Sequence, residues 1–192
     1  MRGENRQGRF SIPHERDSIM TATTQELVNT VGNTIEWWFY DEVNTEIDPI
    51  YDTGDNTLGG RRWIGPVLVP TISSTLLQGA TMQSDRGFYN TDILKITVNI
   101  DMIEDHRNLY GRSAQTIPNL TDMEVNPDTY LRDRIIFRNE VWHPNQITPL
   151  GLITDKFTVV SISCNQVNPE EIVNDPQFQH YANYNPFDRS TL

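Results

Sequence analysis

The chain predicts an all-β fold: a small antiparallel β-barrel or sandwich with one or two short helices and extended N- and C-terminal arms. Three observations carry this. About five short segments are rich in β-branched and aromatic residues, one of them alternates strictly, and helix-starting patterns are few.

The alternating segment is Asp92 to Glu104, DILKITVNIDMIE. Leu94, Ile96, Val98, Ile100 and Met102 share one face, and Lys95, Thr97, Asn99 and Asp101 the other, which is the period of a half-buried strand. Phe157 to Cys164 (FTVVSISC) is β-branched nearly throughout. Asp133 to Val141 (DRIIFRNEV) predicts a further strand, with Arg138-Asn139-Glu140 turning into a short hairpin before Trp142-His143-Pro144. Val31 to Tyr40 and Val67 to Leu77 complete the set. Pro70 in the latter suits an edge or a bulge, because proline brings no N–H to a ladder. Asn168-Pro169-Glu170-Glu171 combines a capping residue, proline at the first helical position and glutamate at the third. That pattern predicts a short helix to about Asn174, stopped by Pro176. Thr24 to Asn29 predicts one further turn of helix.

Two connections read as loops: Gln78 to Asn90, with Gly79 and Gly87, and the polar stretch Asp105 to Leu131, with Pro118 and Pro127. Loops of the second length are uncommon in compact domains unless they work. Residues 1–20, with four arginines, and residues 177–192, with aromatics among asparagines, show no periodicity. They predict an N-terminal arm and a C-terminal tail docking on neighbouring subunits, flanking a β-domain over 21–176.

At 192 residues the chain suits one domain, yet its hydrophobic fraction is only 36% and its mean hydropathy −0.53. A net charge of −11 argues against a free-standing nucleic-acid binder, whose affinity rests on phosphate contacts. Lys95 and Lys156 are the only lysines; the remaining basic residues are arginines, which favour planar pairing with carboxylates. Cys164 is single, so no intrachain disulfide forms, and its apolar run predicts a buried small hydrophobe. No run approaches the ~20 apolar residues of a membrane span. MRGENRQGRF lacks an apolar segment, predicting synthesis inside the cell and an incidental sequon at Asn119-Leu120-Thr121.

Catalytic patterns are missing. His14, His106, His143 and His180 are far apart, no HExxH, GxSxG or GxxxxGK is present, and Cys164 has no evident histidine partner. The expectation is a non-enzyme with no cofactor and no metal. In WWFYDEVNTEIDPIYDTGD, Asp48, Asp52 and Asp55 beside Gly54, Gly59 and Gly60 could bend round calcium, but the spacing lacks the alternating ligands and closing glutamate of a calcium loop. A solvated loop or an interface is the better reading. Along the strand, Ile35, Trp37 and Phe39 share a face opposite Glu36, Trp38 and Tyr40, so Trp38 and Tyr40 are exposed unless a second layer covers them. Trp, Tyr and Arg are enriched at interface hot spots. The candidate interface is therefore Trp38, Tyr40, Asp48, Tyr51, Asp52, Arg61, Arg62 and Trp63, its arginines meeting carboxylates of a neighbouring copy. A sugar platform would use the same aromatics.

The succession WWFYD, DPIYD, GRRWIGPVLVPTI, DRIIFRNEVWHP, LITDKFTVVSIS and NPEEIVNDPQ, over about residues 31–176, resembles the head-to-tail connector proteins of tailed bacteriophages, the stopper-like neck proteins of siphophages. The resemblance implies a structural virion protein, made in the host cytoplasm, that forms a homo-oligomeric ring in the neck between capsid and tail. It implies portal and adaptor proteins on one side and tail terminator or tail tube proteins on the other. Packaged double-stranded DNA passes through the channel without sequence-specific binding and is retained there; no membrane is involved. One loop per subunit would narrow the channel, Asp105–Leu131 being preferred over Gln78–Asn90, with Arg107, Tyr110, Arg112, Asp122 and Glu124 as channel residues. A tail terminator is the nearest alternative, and a monomeric β module for sugar or calcium the more distant one.

Overall fold

Trp37 of the first strand faces a barrel interior and Trp38 an outer layer, and the whole architecture follows from that division. The computed structural model describes Glu26 and residues 33–46, 60–84, 87–109, 122–153, 156–172 and 175–182. Among them, six antiparallel strands close into a barrel: β1 (Thr34–Tyr40), β2 (Trp63–Ser84), β3 (Gly87–Asn99), β4 (Arg134–Phe137), β5 (Glu140–Ile153) and β6 (Lys156–Gln166). The order round the barrel is β1-β2-β3-β6-β5-β4, and β4 pairs back to β1 through Trp37↔Ile135 and Trp38↔Arg134. The expected small antiparallel barrel is thus the fold, and closure leaves no open sheet edge at β1.

Ile35, Trp37 and Phe39 from β1, Val67 and Val69 from β2, Leu94, Ile96 and Val98 from β3, and Val160, Ile162 and Cys164 from β6 fill the interior. Cys164 is buried, as its apolar run predicts, and burial pushes its thiol up, out of the reactive range. β2 first pairs β1 and then β3. Pro70 sits in the last β1 pair, opposite Thr34, just before a register shift between Thr71 and Ser73, as its missing N–H requires. The bulge between these strands lies in β2, where Gly65 and Pro66 together stand opposite Trp38, and a Cβ on Gly65 would lie 2.9 Å from the Trp37 carbonyl oxygen.

The β4–β5 connection is a two-residue turn in which Arg138 (φ 53°) and Asn139 (φ 61°) are both left-handed. That is the mirror-image hairpin turn whose twist matches its strands. From Pro144 onward β5 pairs only β6, and Pro144 and Pro149 fall in this singly paired part.

Three expectations need correction. The alternation over Asp92–Glu104 is not all strand: β3 stops at Asn99, and Ile100–Leu109 is a helix, α1. Asn99 caps it, its Oδ1 accepting the Asp101 N–H at 3.0 Å, and Ile100 and Ile103, a helical turn apart, plug the barrel interior. Alternating and helical periods overlap over so short a run. Second, Gln78–Asn90 is not a loop. β2 continues through Ser84 and β3 starts at Gly87, with a bulge at Gly79 (φ 63°), whose N–H donates to Asp92 Oδ1 at 2.7 Å. Third, Asp105–Leu131 contains the end of α1, a helical turn α2 (Asp122–Val125) and a 3-10 turn (Pro127–Tyr130). At the C-terminal end are α3 (Pro169–Ile172), within the expected helix, and α4 (Gln179–Ala182). Glu26 is helical; the remaining residues of the Thr24–Asn29 turn, and residues 1–20, lie outside the described set.

Candidate functional site

A second apolar layer lies outside the barrel. Tyr40, Trp63, Ile136, Val141, Val167, Ile172 and Phe178 form it, with Trp38 and Tyr181 packed alongside. β1 makes both layers because alternation sends Trp38 and Tyr40 outward, and the segment after β6 folds back to cover them. Phe178 is fully buried, edge-on to Trp38 (centroids 5.3 Å apart) and to Trp63 (5.1 Å). Gln177 completes the seating. Its Oε1 accepts the Trp63 N–H at 2.8 Å and its Nε2 donates to the Trp63 carbonyl at 2.9 Å, a side-chain amide standing in for a strand neighbour.

Charges surround this layer. Arg134 Nη2 donates to Glu171 Oε1 at 2.8 Å, and Arg61 Nε donates to Asp175 Oδ1 at 2.9 Å. Arg61 Nη1 adds a longer contact to Glu171 at 3.4 Å. The four groups tie the residues leading into β2, the strand β4 and the C-terminal segment together. Burial raises the Asp175 carboxyl above its usual value, against the opposing pull of Arg61 and Arg134. Burial likewise lowers Arg134, which Glu171 and Asp175 counteract, and a guanidinium stays charged throughout.

Beside this cluster opens a pocket of about 250 Å³, with Tyr40 and Trp63 in its wall and Arg61, Arg132, Arg134 and Glu171 around them. The Arg134 guanidinium lies 5.2 Å from the Trp63 ring centre, and that of Arg132 5.6 Å from Tyr40. Asp133 fixes the nearby chain: its Oδ2 accepts the Trp37 indole N–H and its Oδ1 the Tyr40 backbone N–H, both at 2.8 Å.

Of the expected interface residues, Tyr40, Arg61 and Trp63 come together here, with Trp38 adjoining through Phe178. Tyr40 and Trp63 are buried, Trp38 is half-buried, and the second layer left conditional by the sequence is present. Arg61 finds its carboxylates within its own chain, on Glu171 and Asp175. Arg62 is exposed, and its backbone N–H donates to Thr45 Oγ1 at 3.1 Å. Asp48, Tyr51 and Asp52 lie outside the described residues. Asp41 serves as a local cap, its Oδ1 accepting the Val43 and Asn44 N–H groups. Among the described residues no three His, Cys, Asp or Glu side chains converge as a metal would need.

Of the residues assigned to a channel loop, Arg107, Asp122 and Glu124 are described; Tyr110 and Arg112 lie outside. Arg107 Nη1 donates to Asp122 Oδ2 at 2.8 Å, its guanidinium sits 4.1 Å from the Tyr130 ring centre, and the Tyr130 hydroxyl donates to Asp122 at 3.2 Å. This mostly buried cluster joins α1 to α2 and the 3-10 turn. Glu124 is half-buried.

Sequence reasoning missed Arg132, Arg134, Glu171 and Asp175. Glu171 stood out only as the third helical residue, whose capping role would direct it to its own helix, yet it turns to Arg134 and Arg61. The arginine excess beside scattered carboxylates was the available signal, but it names no partners. No family model matches the chain, and no curated protein sequence matches it.

Proposed function

We propose that the chain is a structural virion protein that forms a homo-oligomeric ring in the neck of a tailed phage, joining portal and adaptor to tail and helping to retain packaged DNA. The observation that carries the reading is the β2–β3 ribbon. Pairing of β3 with β6 ends at Ile93↔Asn165, while β2–β3 pairing runs on to Ser84↔Gly87. The ribbon beyond the barrel, residues 87–92 on one strand, spans about 20 Å at ~3.3 Å per residue. A lone two-stranded ribbon is marginal in water, so an arm of this length suits contact with something beyond its own domain.

A closed barrel gives such an arm a rigid base, and a net charge of −11 disfavours gripping a passing duplex. With Arg107 and Asp122 engaged inside the domain, the narrowing role moves to the ribbon at residues 78–90. Mass photometry, followed by reconstruction of the neck, tests the ring: a chain that stays monomeric with portal–adaptor complexes present sinks it. Shortening the ribbon between Gly79 and Asp92 is expected to give particles that join tails but lose DNA. A tail terminator shares the ring architecture and is separated from this reading by which side of the joint carries the density.

A further inference from the structure

We propose that neutral His143 is the acceptor, through interior water, for a row of buried donors beneath the C-terminal segment, and that charging His143 releases this segment from the outer layer. The ring reading is not needed for it, since one chain carries every group involved.

Among the described residues three buried side-chain polar atoms have no hydrogen-bond partner: Trp38 Nε1, Arg134 Nε and His143 Nδ1. Their residues form one row across three strands. Trp38 pairs with Arg134 between β1 and β4, and the β4–β5 register through Ile135↔Trp142 sets Arg134 next to His143. Trp37, Ile135 and Trp142 of the same strands fill the interior, so the row faces outward. The C-terminal segment roofs it. Phe178 stands edge-on to Trp38, Glu171 accepts from Arg134, and Val141, two residues before His143, packs with Val167, Ile172 and Phe178. Native structures seldom leave one such atom unexplained, and three in a row share one answer.

An indole N–H and a guanidinium N–H only donate, whereas imidazole accepts at Nδ1 when its proton sits on Nε2. Water accepts from the donors and donates to Nδ1, and buried waters make about three such bonds. Protonating Nδ1 leaves donors alone in the row and sets a second cation beside Arg134. The charged groups facing His143 are Arg134 on β4 and Glu171 on α3. Arg61 and Asp175 lie beyond these two, Glu36 on β1 faces Tyr181, and β6 brings the uncharged Asn165. Glu171 already serves Arg134 and Arg61, which limits what it offers a new cation. Asp175 acts in the opposite sense, because its covered carboxyl takes a proton more readily. A variant that cannot titrate at position 143 therefore separates the two.

The test is amide hydrogen exchange of the full chain, corrected for intrinsic rates. The Ile172, Asp175, Phe178 and Tyr181 N–H groups report on the segment, and Ile96 and Ile162 on the barrel. Between about pH 7 and about pH 5.5 the segment is expected to lose up to about tenfold in protection, the limit for a group whose ordinary pKa is 6.5, while the barrel holds. His143→Asn, whose amide oxygen sits where Nδ1 does and gains no proton, should keep the segment protected at both pH values. His143→Gln, whose amide sits where Nε2 does, should loosen it at both. Nitrogen NMR should show Nδ1 unprotonated at neutral pH. A protonated Nδ1 there, a segment indifferent to pH, equal losses in segment and barrel, or the parent response in His143→Asn would each overturn the proposal.

Discussion

The ring of Phe178 stands edge-on to that of Trp38, centroids 5.3 Å apart and planes at 79°. Through this contact the segment after β6 closes the outer layer. Phe178→Ala is expected to cost about 3–5 kcal/mol, the range for emptying a buried aromatic site, and Phe178→Leu distinctly less. Urea unfolding followed by tryptophan fluorescence measures it. A loss below about 1 kcal/mol would mean that the segment is not held by this ring.

Asp133 couples the two layers, since Trp37 points inward and Tyr40 outward from the backbone it binds. Asp133→Ala leaves the fully buried Trp37 indole N–H without its acceptor. The expected loss is about 3 kcal/mol, as for a buried hydrogen bond to a charged acceptor. A drop in the midpoint with an unchanged denaturant slope would confirm a stability effect; an unchanged midpoint would refute it.

Arg107 and Asp122 form a mostly buried pair under Tyr130. Removing Asp122 alone, as Asp122→Ala, is expected to cost about 3–5 kcal/mol because the guanidinium is left uncompensated. Removing both groups should cost less than the sum of the single changes by about 1–3 kcal/mol. Additive losses in a double-mutant cycle would rule the coupling out.

His143 gives a pH signature. Burial lowers its pKa from the usual 6.5, Arg134 lowers it further and Glu171 opposes both. The folded state therefore binds that proton less readily than the unfolded chain, and stability falls as pH drops through 6.5. Asp175 acts in the opposite sense: its raised pKa means stability declines as pH rises from 3.8 through the folded value. Thermal melts between pH 7.5 and 5.5, at ~0.5-unit steps, should show His143→Phe flattening the slope seen in the parent chain. A variant with the parent slope would assign the titration elsewhere.

The interior half of the barrel was legible in the sequence. Ile35, Trp37, Phe39, Leu94, Ile96 and Val98 lie where a period of two puts them, because alternation is a local property of extended chain. The boundary at Asn99 was not legible, since Ile100 continues the strand alternation and also begins the helical face it shares with Ile103. The ribbon was hidden for a different reason. QGATMQSDRGFYN has the glycines and polar residues of a loop, and its pairing is set by the barrel strands that lead into it. Of the pocket, the sequence pointed to Tyr40, Arg61 and Trp63 through residue type, and its partners escaped because Arg61 and Asp175 are 114 positions apart.

By itself the sequence determined which residues face inward along β1 and β3, a hairpin turn near Arg138-Asn139-Glu140 and the burial of Cys164, all consequences of backbone geometry and side-chain polarity within a few positions. Tertiary structure alone decided that β4 returns to β1, that Phe178 covers Trp38, and that Arg61 and Arg134 spend their charge on Glu171 and Asp175. Each joins segments far apart in the chain. Such contacts depend on the closed barrel bringing β1, β2 and β4 to one wall, and no local pattern encodes that meeting.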